Sequence, residues 1–204
     1  MRNWDRQAQV LAAQGWWVLQ PNFRGSGGYG LAFAKQGWGR WGDRMQEDVE
    51  DAVAHAISAR GLDGRRVAIM GTSYGGYAAM MGAVKTPGLY RAAISICGVS
   101  DLPDILEWEK RQDDSPGQEI FDFWSKRIGV LGVDDDRLSA ASPRRRVAEI
   151  ACPVFLVHGT DDPIVPVTQT RRLNAALRDA GKRVEFVEVN DAGHADWEDD
   201  KEQE

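Results

Sequence analysis

Apolar residues fall along the chain in two alternating rhythms. Short apolar or alternating runs occupy residues 16–20, 67–70, 92–97, 154–157 and 184–189, each bounded by polar, glycine or proline positions. Runs of that length and composition predict buried strands. Between them lie longer segments, 4–13, 46–59, 74–84 and 169–180, whose apolar positions recur at helical spacing, the last closed by Gly181. Strands separated by helix-length segments are what a parallel sheet with crossover helices requires, so the pattern predicts an α/β fold with five strands.

Two stretches break the alternation. Residues 22–42 are rich in glycine and aromatics, and a loop of that length inside a compact domain is usually functional. Residues 101–146 form a longer stretch, expected to hold short helices above the strand ends, where folds of this class carry a cap over the substrate.

Composition narrows the function classes. The 204 residues fit one domain, and 43% hydrophobic content suffices for a buried core. A net charge of -6 argues against a nucleic-acid partner, because phosphate binding needs a basic stripe. The one basic cluster, residues 144–146, is expected to be a solvated helix start. Cys97 and Cys152 sit in or beside apolar runs and are expected as buried free thiols. The first residues lack the apolar core of a secretory signal, and no run reaches membrane-spanning length, so no membrane partner and a cytoplasmic location are expected. The acidic residues after His194 read as a frayed end.

The strongest chemical signal is Gly71-Thr72-Ser73-Tyr74-Gly75-Gly76-Tyr77, placed directly between a strand run and a helical run. A nucleophile elbow needs that context: the serine sits on a strained strand-to-helix turn, with small residues where the two elements approach. Ser73 is the candidate nucleophile, and the backbone N–H of Tyr74, at the helix start, is aimed at a developing oxyanion. In isolation the same five residues make an ordinary tight turn, so the case needs a base and an acid. Of three histidines, His55 lies within a helical run and His158 at a strand end, and both are read as structural. His194 follows the last strand in a loop able to carry an imidazole over the sheet edge. The acid should come from a neighbouring strand end. Asp161 and Asp162 both qualify, and Asp162 is taken because the turn ending in Val165-Pro166 points the second carboxylate inward. The order Ser73, Asp162, His194 is that of α/β-hydrolases.

These residues resemble the catalytic domain of the prolyl oligopeptidase family, in its dipeptidyl-peptidase and acylaminoacyl-peptidase-like branch. The likeness runs from Leu19-Gln20-Pro21-Asn22-Phe23-Arg24-Gly25-Ser26-Gly27-Gly28-Tyr29-Gly30 through Trp41-Gly42 and Glu47-Asp48-Val49 to the elbow. It resumes at Ala141-Ser142-Pro143 and Ile150-Ala151-Cys152-Pro153, then closes on the acid turn and Gly193-His194. The resemblance implies an α/β-hydrolase fold, a mostly parallel sheet with helices on both faces. It also implies cleavage of peptide or acyl-amino bonds in short substrates, through an acyl-enzyme on Ser73 and without metal or organic cofactor. Val165 would line the pocket beside the scissile bond, although an apolar residue there serves a core equally well.

The sequence also departs from the family. The strand and turn that supply the second oxyanion donor, the helix after the histidine and the propeller domain are not found in it, so residues 1–204 are expected to form a single, shortened catalytic domain. Without that strand, segments 16–20 and 67–70 must pair directly, accept a strand from elsewhere or leave edges exposed. Losing one oxyanion donor costs about a hundredfold to a thousandfold in turnover. A carboxylesterase with the same triad and a catalytically weak fragment or pseudoenzyme therefore remain open beside the peptidase. The expected partner is a short peptide or acyl-amino substrate, and self-association as a homo-oligomer is left open.

Overall fold

The computed structural model describes residues 5–112, 114, 119–129 and 136–194. Trp4 and the acidic stretch after His194, whose fraying the sequence suggested, lie outside the described residues. In chain order the elements are α1 (Arg6–Ala13), α2 (Leu31–Lys35), α3 (Arg44–Arg60), β1 (Val67–Thr72), α4 (Tyr74–Lys85), β2 (Tyr90–Ile96), α5 (Leu102–Gln112), α6 (Glu119–Ile128) and α7 (Asp136–Ala140). A 3-10 stretch, Pro143–Glu149, then leads into β3 (Val154–Gly159), α8 (Thr168–Asp179) and β4 (Val184–Val189).

The four strands form one parallel sheet in the order β1-β2-β3-β4. Parallel neighbours need a crossover, and α4 and α8 supply two of them. Helix α4 is buried from Gly76 to Val84, since its sequence carries almost no polar side chain to turn toward water. It packs with Ala93, Leu156, Leu173 and Leu177 into one apolar cluster. The opposite face of the sheet is more open: Met70, Phe155 and Val187 are 41%, 36% and 45% exposed.

The expected first strand is not a strand. Residues 16–20 run without regular structure, with Trp16, Trp17, Val18 and Leu19 all exposed, and β1 is left as an edge of the sheet. An apolar run becomes a strand only where a neighbour offers a ladder, and no backbone hydrogen bond joins 16–20 to β1 among the described residues. Of the three outcomes considered for this edge, the chain adopts the exposed one.

The two irregular stretches have defined tasks. In the first, Arg24 grips Asp48 of α3 through its backbone N–H at 2.9 Å and through a two-pronged guanidinium contact. Asp48 is thereby held below the usual carboxylate range. The Arg24 side chain's hydrogen bond is the largest cause, and it outweighs the cost of burial. In the second, α5, α6 and α7 lie ahead of the 3-10 stretch as the expected short helices. The arginine cluster differs from expectation: Arg144 and Arg145 both bond the fully buried Asp101 carboxylate, at 2.7 Å each for the shortest contacts, while Arg146 pairs with the exposed Glu149. The reason is that Asp101, at the mouth of β2, would otherwise be a buried unpaired charge. Both cysteines are buried and neither is in a disulfide. No helix among the described residues is long and apolar enough to cross a membrane.

Candidate active site

The strands are parallel and in register, so the residues that follow them gather on one rim. Thr72 is level with Ile96, Ile96 with Val157 and Val157 with Val187. Ser73 leaves β1 there, Asp162 follows β3 and His194 follows β4.

Ser73 has φ 58° and ψ -120°, a conformation that a residue with a side chain adopts only under constraint. Two features impose it. The Ser73 N–H is tied to Ile96 O at 2.8 Å, and the chain turns directly into α4, where Tyr77 N–H bonds Ser73 O. The turn is tight enough that a Cβ on Gly71 would come within 2.7 Å of the Gly75 main chain, and one on Gly76 within 2.8 Å of Gly98 Cα, so those two positions need glycine, whereas a Cβ at Gly75 would meet nothing within 4 Å. The Tyr74 N–H, at the first position of the helix, has no carbonyl partner among the described residues, as an oxyanion donor requires. The Tyr74 ring is wedged by Phe23 at 5.7 Å and Trp41 at 4.6 Å between centroids, so the aromatic loop braces the elbow. Burial raises the Tyr74 phenol above its usual range, leaving it a neutral packing group.

Asp162 has a fully buried side chain. Its Oδ1 accepts from the N–H groups of Ile164 and Val165 at 2.9 and 2.8 Å, and its Oδ2 accepts from His194 Nδ1 at 2.7 Å. Burial alone would push the carboxyl upward. The donors from His158, His194, Val165 and Ile164 together outweigh it and hold Asp162 well below the usual carboxylate range, ionised at neutral pH. Asp161 takes the exposed position of the pair.

The loops carrying acid and base are stitched together. Thr160 N–H bonds Val189 O, Asp161 N–H bonds Ala192 O, and Asp191 N–H bonds Thr160 Oγ1, all at 3.0 Å. Gly159 allows this closeness, because a Cβ there would overlap the carbonyl oxygens of Ala192 and Gly193. With Nδ1 donating to Asp162, a neutral His194 has a bare lone pair on Nε2, which has no partner among the described residues. The structure thus joins two of the three expected side chains. It does not close the third contact: no hydrogen bond links Ser73 Oγ to the His194 ring, as is common before a substrate tightens such a site.

Val165 is 3% exposed and packs in the core, and its main chain is what reaches the site, donating to Asp162. Sequence reasoning assigned His158 no part beyond structure. It is indeed fully buried, yet its Nε2 lies 3.2 Å from Asp162 Oδ2. The signal was its place four residues before the acid across a tight turn. Cys97, His158 and Asp162 offer donor atoms within 4.8 Å of one another, but both ring nitrogens of His158 and both oxygens of Asp162 already have partners. A cation there would have to displace them.

Residues 2–203 match the prolyl oligopeptidase family. The chain belongs to that family. Among relatives of this prolyl oligopeptidase-family chain, dipeptidyl aminopeptidase BIII of Pseudoxanthomonas mexicana is 34% identical over 188 residues, covering 91% of this chain and 27% of its own. The acylamino-acid-releasing enzyme of Rattus norvegicus is 28% identical, covering 94% of this chain and 26% of its own. A solved puromycin-hydrolyzing peptidase of Mycobacterium tuberculosis superposes with a TM-score of 0.74 at 32% identity, over 85% of this chain and 25% of its own. The chain therefore spans about a quarter of the length of these relatives, and its own fold is that of an α/β-hydrolase.

Proposed function

We propose that the chain is the catalytic unit of a serine peptidase that cleaves peptide or acyl-amino bonds of short peptides through an acyl-enzyme on Ser73. The observation that carries this is the 2.7 Å hydrogen bond between Asp162 and His194, which leaves a bare imidazole nitrogen on the same rim as the strained Ser73. His194 takes the proton of Ser73 as the hydroxyl attacks the scissile carbonyl, and returns it to the leaving amine. Asp162 fixes the imidazole tautomer and stabilises the imidazolium. The Tyr74 N–H donates to the oxyanion, and water then releases the acyl group by the same steps in reverse roles.

The names of the relatives, a dipeptidyl aminopeptidase and an acylamino-acid-releasing enzyme, favour short substrates with a blocked or free amino end. The domain reading follows: residues 1–204 act as one catalytic domain, in which Val165 serves through its N–H to Asp162 while its side chain stays in the core. Fluorophosphonate labelling of the chain beside its Ser73→Ala variant tests the assignment. Labelling is expected only with serine in place, and equal labelling of the two would refute it. Aminoacyl p-nitroanilides run against p-nitrophenyl esters then separate peptidase from esterase, the first expecting turnover of both and the second of esters alone.

A further inference from the structure

The reaction as written leaves one buried titratable ring beside the acid unused. His158 ends β3 with its side chain fully buried. Its Nδ1 lies 2.6 Å from Thr170 Oγ1 on α8, and its Nε2 lies 2.8 Å from Val165 O and 3.2 Å from Asp162 Oδ2. A carbonyl oxygen can only accept, so Nε2 carries the hydrogen. A neutral ring protonated there has an acceptor at Nδ1, and the Thr170 hydroxyl can fill it. The partners thus fix one tautomer and satisfy the ring without charge. The Nε2–H is bonded to Val165 O, and 3.2 Å from the same nitrogen lies the Oδ2 to which His194 donates.

We infer that His158 is a positioning residue for the catalytic acid: its Nε2–H, bridging Val165 O and Asp162 Oδ2, sets the rotation of the carboxylate and tempers its hold on the His194 imidazolium. This rests on the acid–base assignment above and deepens it. A ring needed only for packing could be any apolar group of similar volume. A donor placed on Oδ2 does more, because it competes with His194 for the electron density of one oxygen and so changes how strongly Asp162 favours the charged imidazole. Of the other titratable groups nearby, Cys97, just after β2, lies against this cluster, Asp161 and Asp191 of the two loops are exposed, and Glu188 of β4 is already paired by Arg171 of α8. Among the contacts described, only His158 and His194 bring side-chain donors to Asp162.

The test follows the His194 ring by imidazole NMR across pH, together with the pH profile of kcat/KM, in the full chain and its His158→Phe, His158→Gln and His158→Asn variants. Loss of the donor in His158→Phe is expected to raise the pH at which His194 takes up its proton by about half a unit or more, and to lower kcat about tenfold with KM little changed. His158→Gln, whose amide N–H can stand where Nε2–H stood, is expected to keep the parent profile. His158→Asn, too short to reach Oδ2, is expected to follow Phe, and serves if Phe does not fold. Unchanged His194 protonation in Phe and Asn, or a shift that Gln does not reverse, overturns the inference. A parent chain that titrates as expected but takes no label at Ser73 sinks the hydrolase assignment and leaves the coupling of His158 to Asp162 standing, so the two failures are distinguishable.

Discussion

Residues 16–20 and residues 154–159 carry comparable apolar runs and end in opposite conditions. Leu156 of β3 is wholly buried, laddered on both sides by β2 and β4, while Trp17 is 69% exposed and paired with nothing in the sheet. The difference lies in the neighbours, since a strand's backbone groups are satisfied by other strands and its side chains by a covered face. Hydrophobicity alone does not place a segment. The consequence reaches the chemistry: Asp162 follows β3, paired on both sides, whereas Ser73 and His194 follow β1 and β4, the two edges of the sheet, and only His194 is tied back to the centre through Asp162.

Substitutions can break or sharpen that contrast. The largest effect is expected for Leu156→Ala, which opens a cavity in the laddered half and should cost about 2 to 5 kcal/mol in urea unfolding. Next comes Gly159→Ala. Its new Cβ would press on the Ala192 and Gly193 carbonyls and shift the base, so kcat/KM should fall about a hundredfold while the chain stays folded by circular dichroism. Asp162 contributes a pH signature of smaller size. Its carboxyl is depressed in the folded chain, so its stabilisation is present in full above the unfolded value of about 4 and is lost as pH falls below that toward the folded value. The urea midpoint should decline below about pH 4, and Asp162→Asn should flatten the decline. The smallest effect is expected for Trp17→Ser, within about 0.5 kcal/mol, because a side chain already in water has little burial to lose. A large loss there would mean that the segment is covered in solution and the contrast is false.

Much of this could be read before any coordinates. The elbow was legible because a strained turn demands glycines at fixed offsets, and the strand order of chemistry followed from parallel topology, which carries every strand end to one rim. Helix boundaries were near: the run at 46–59 became Arg44–Arg60, and that at 169–180 became Thr168–Asp179. What could not be read depended on partners distant in sequence. The unpaired fate of 16–20 is a statement about its neighbours, and the inward turn of Arg144 and Arg145 depends on Asp101, more than forty residues earlier. The grip of Arg24 on Asp48 is of the same kind: both residues lay in stretches that resembled the family, yet nothing in the linear text said that one holds the other.

The stitching between the acid and base loops has a mechanical consequence. Two main-chain ties, the Asp191 N–H bond to the Thr160 hydroxyl and the His194–Asp162 bond join the two loops. Proton acceptor and orienting carboxylate must therefore travel together, and the remaining adjustable coordinate is their separation from the nucleophile, two strands away. Any force that retwists the sheet between β1 and β3 acts on that single gap, so reactivity can be set from the sheet's far border while the acid–base pair itself stays undisturbed.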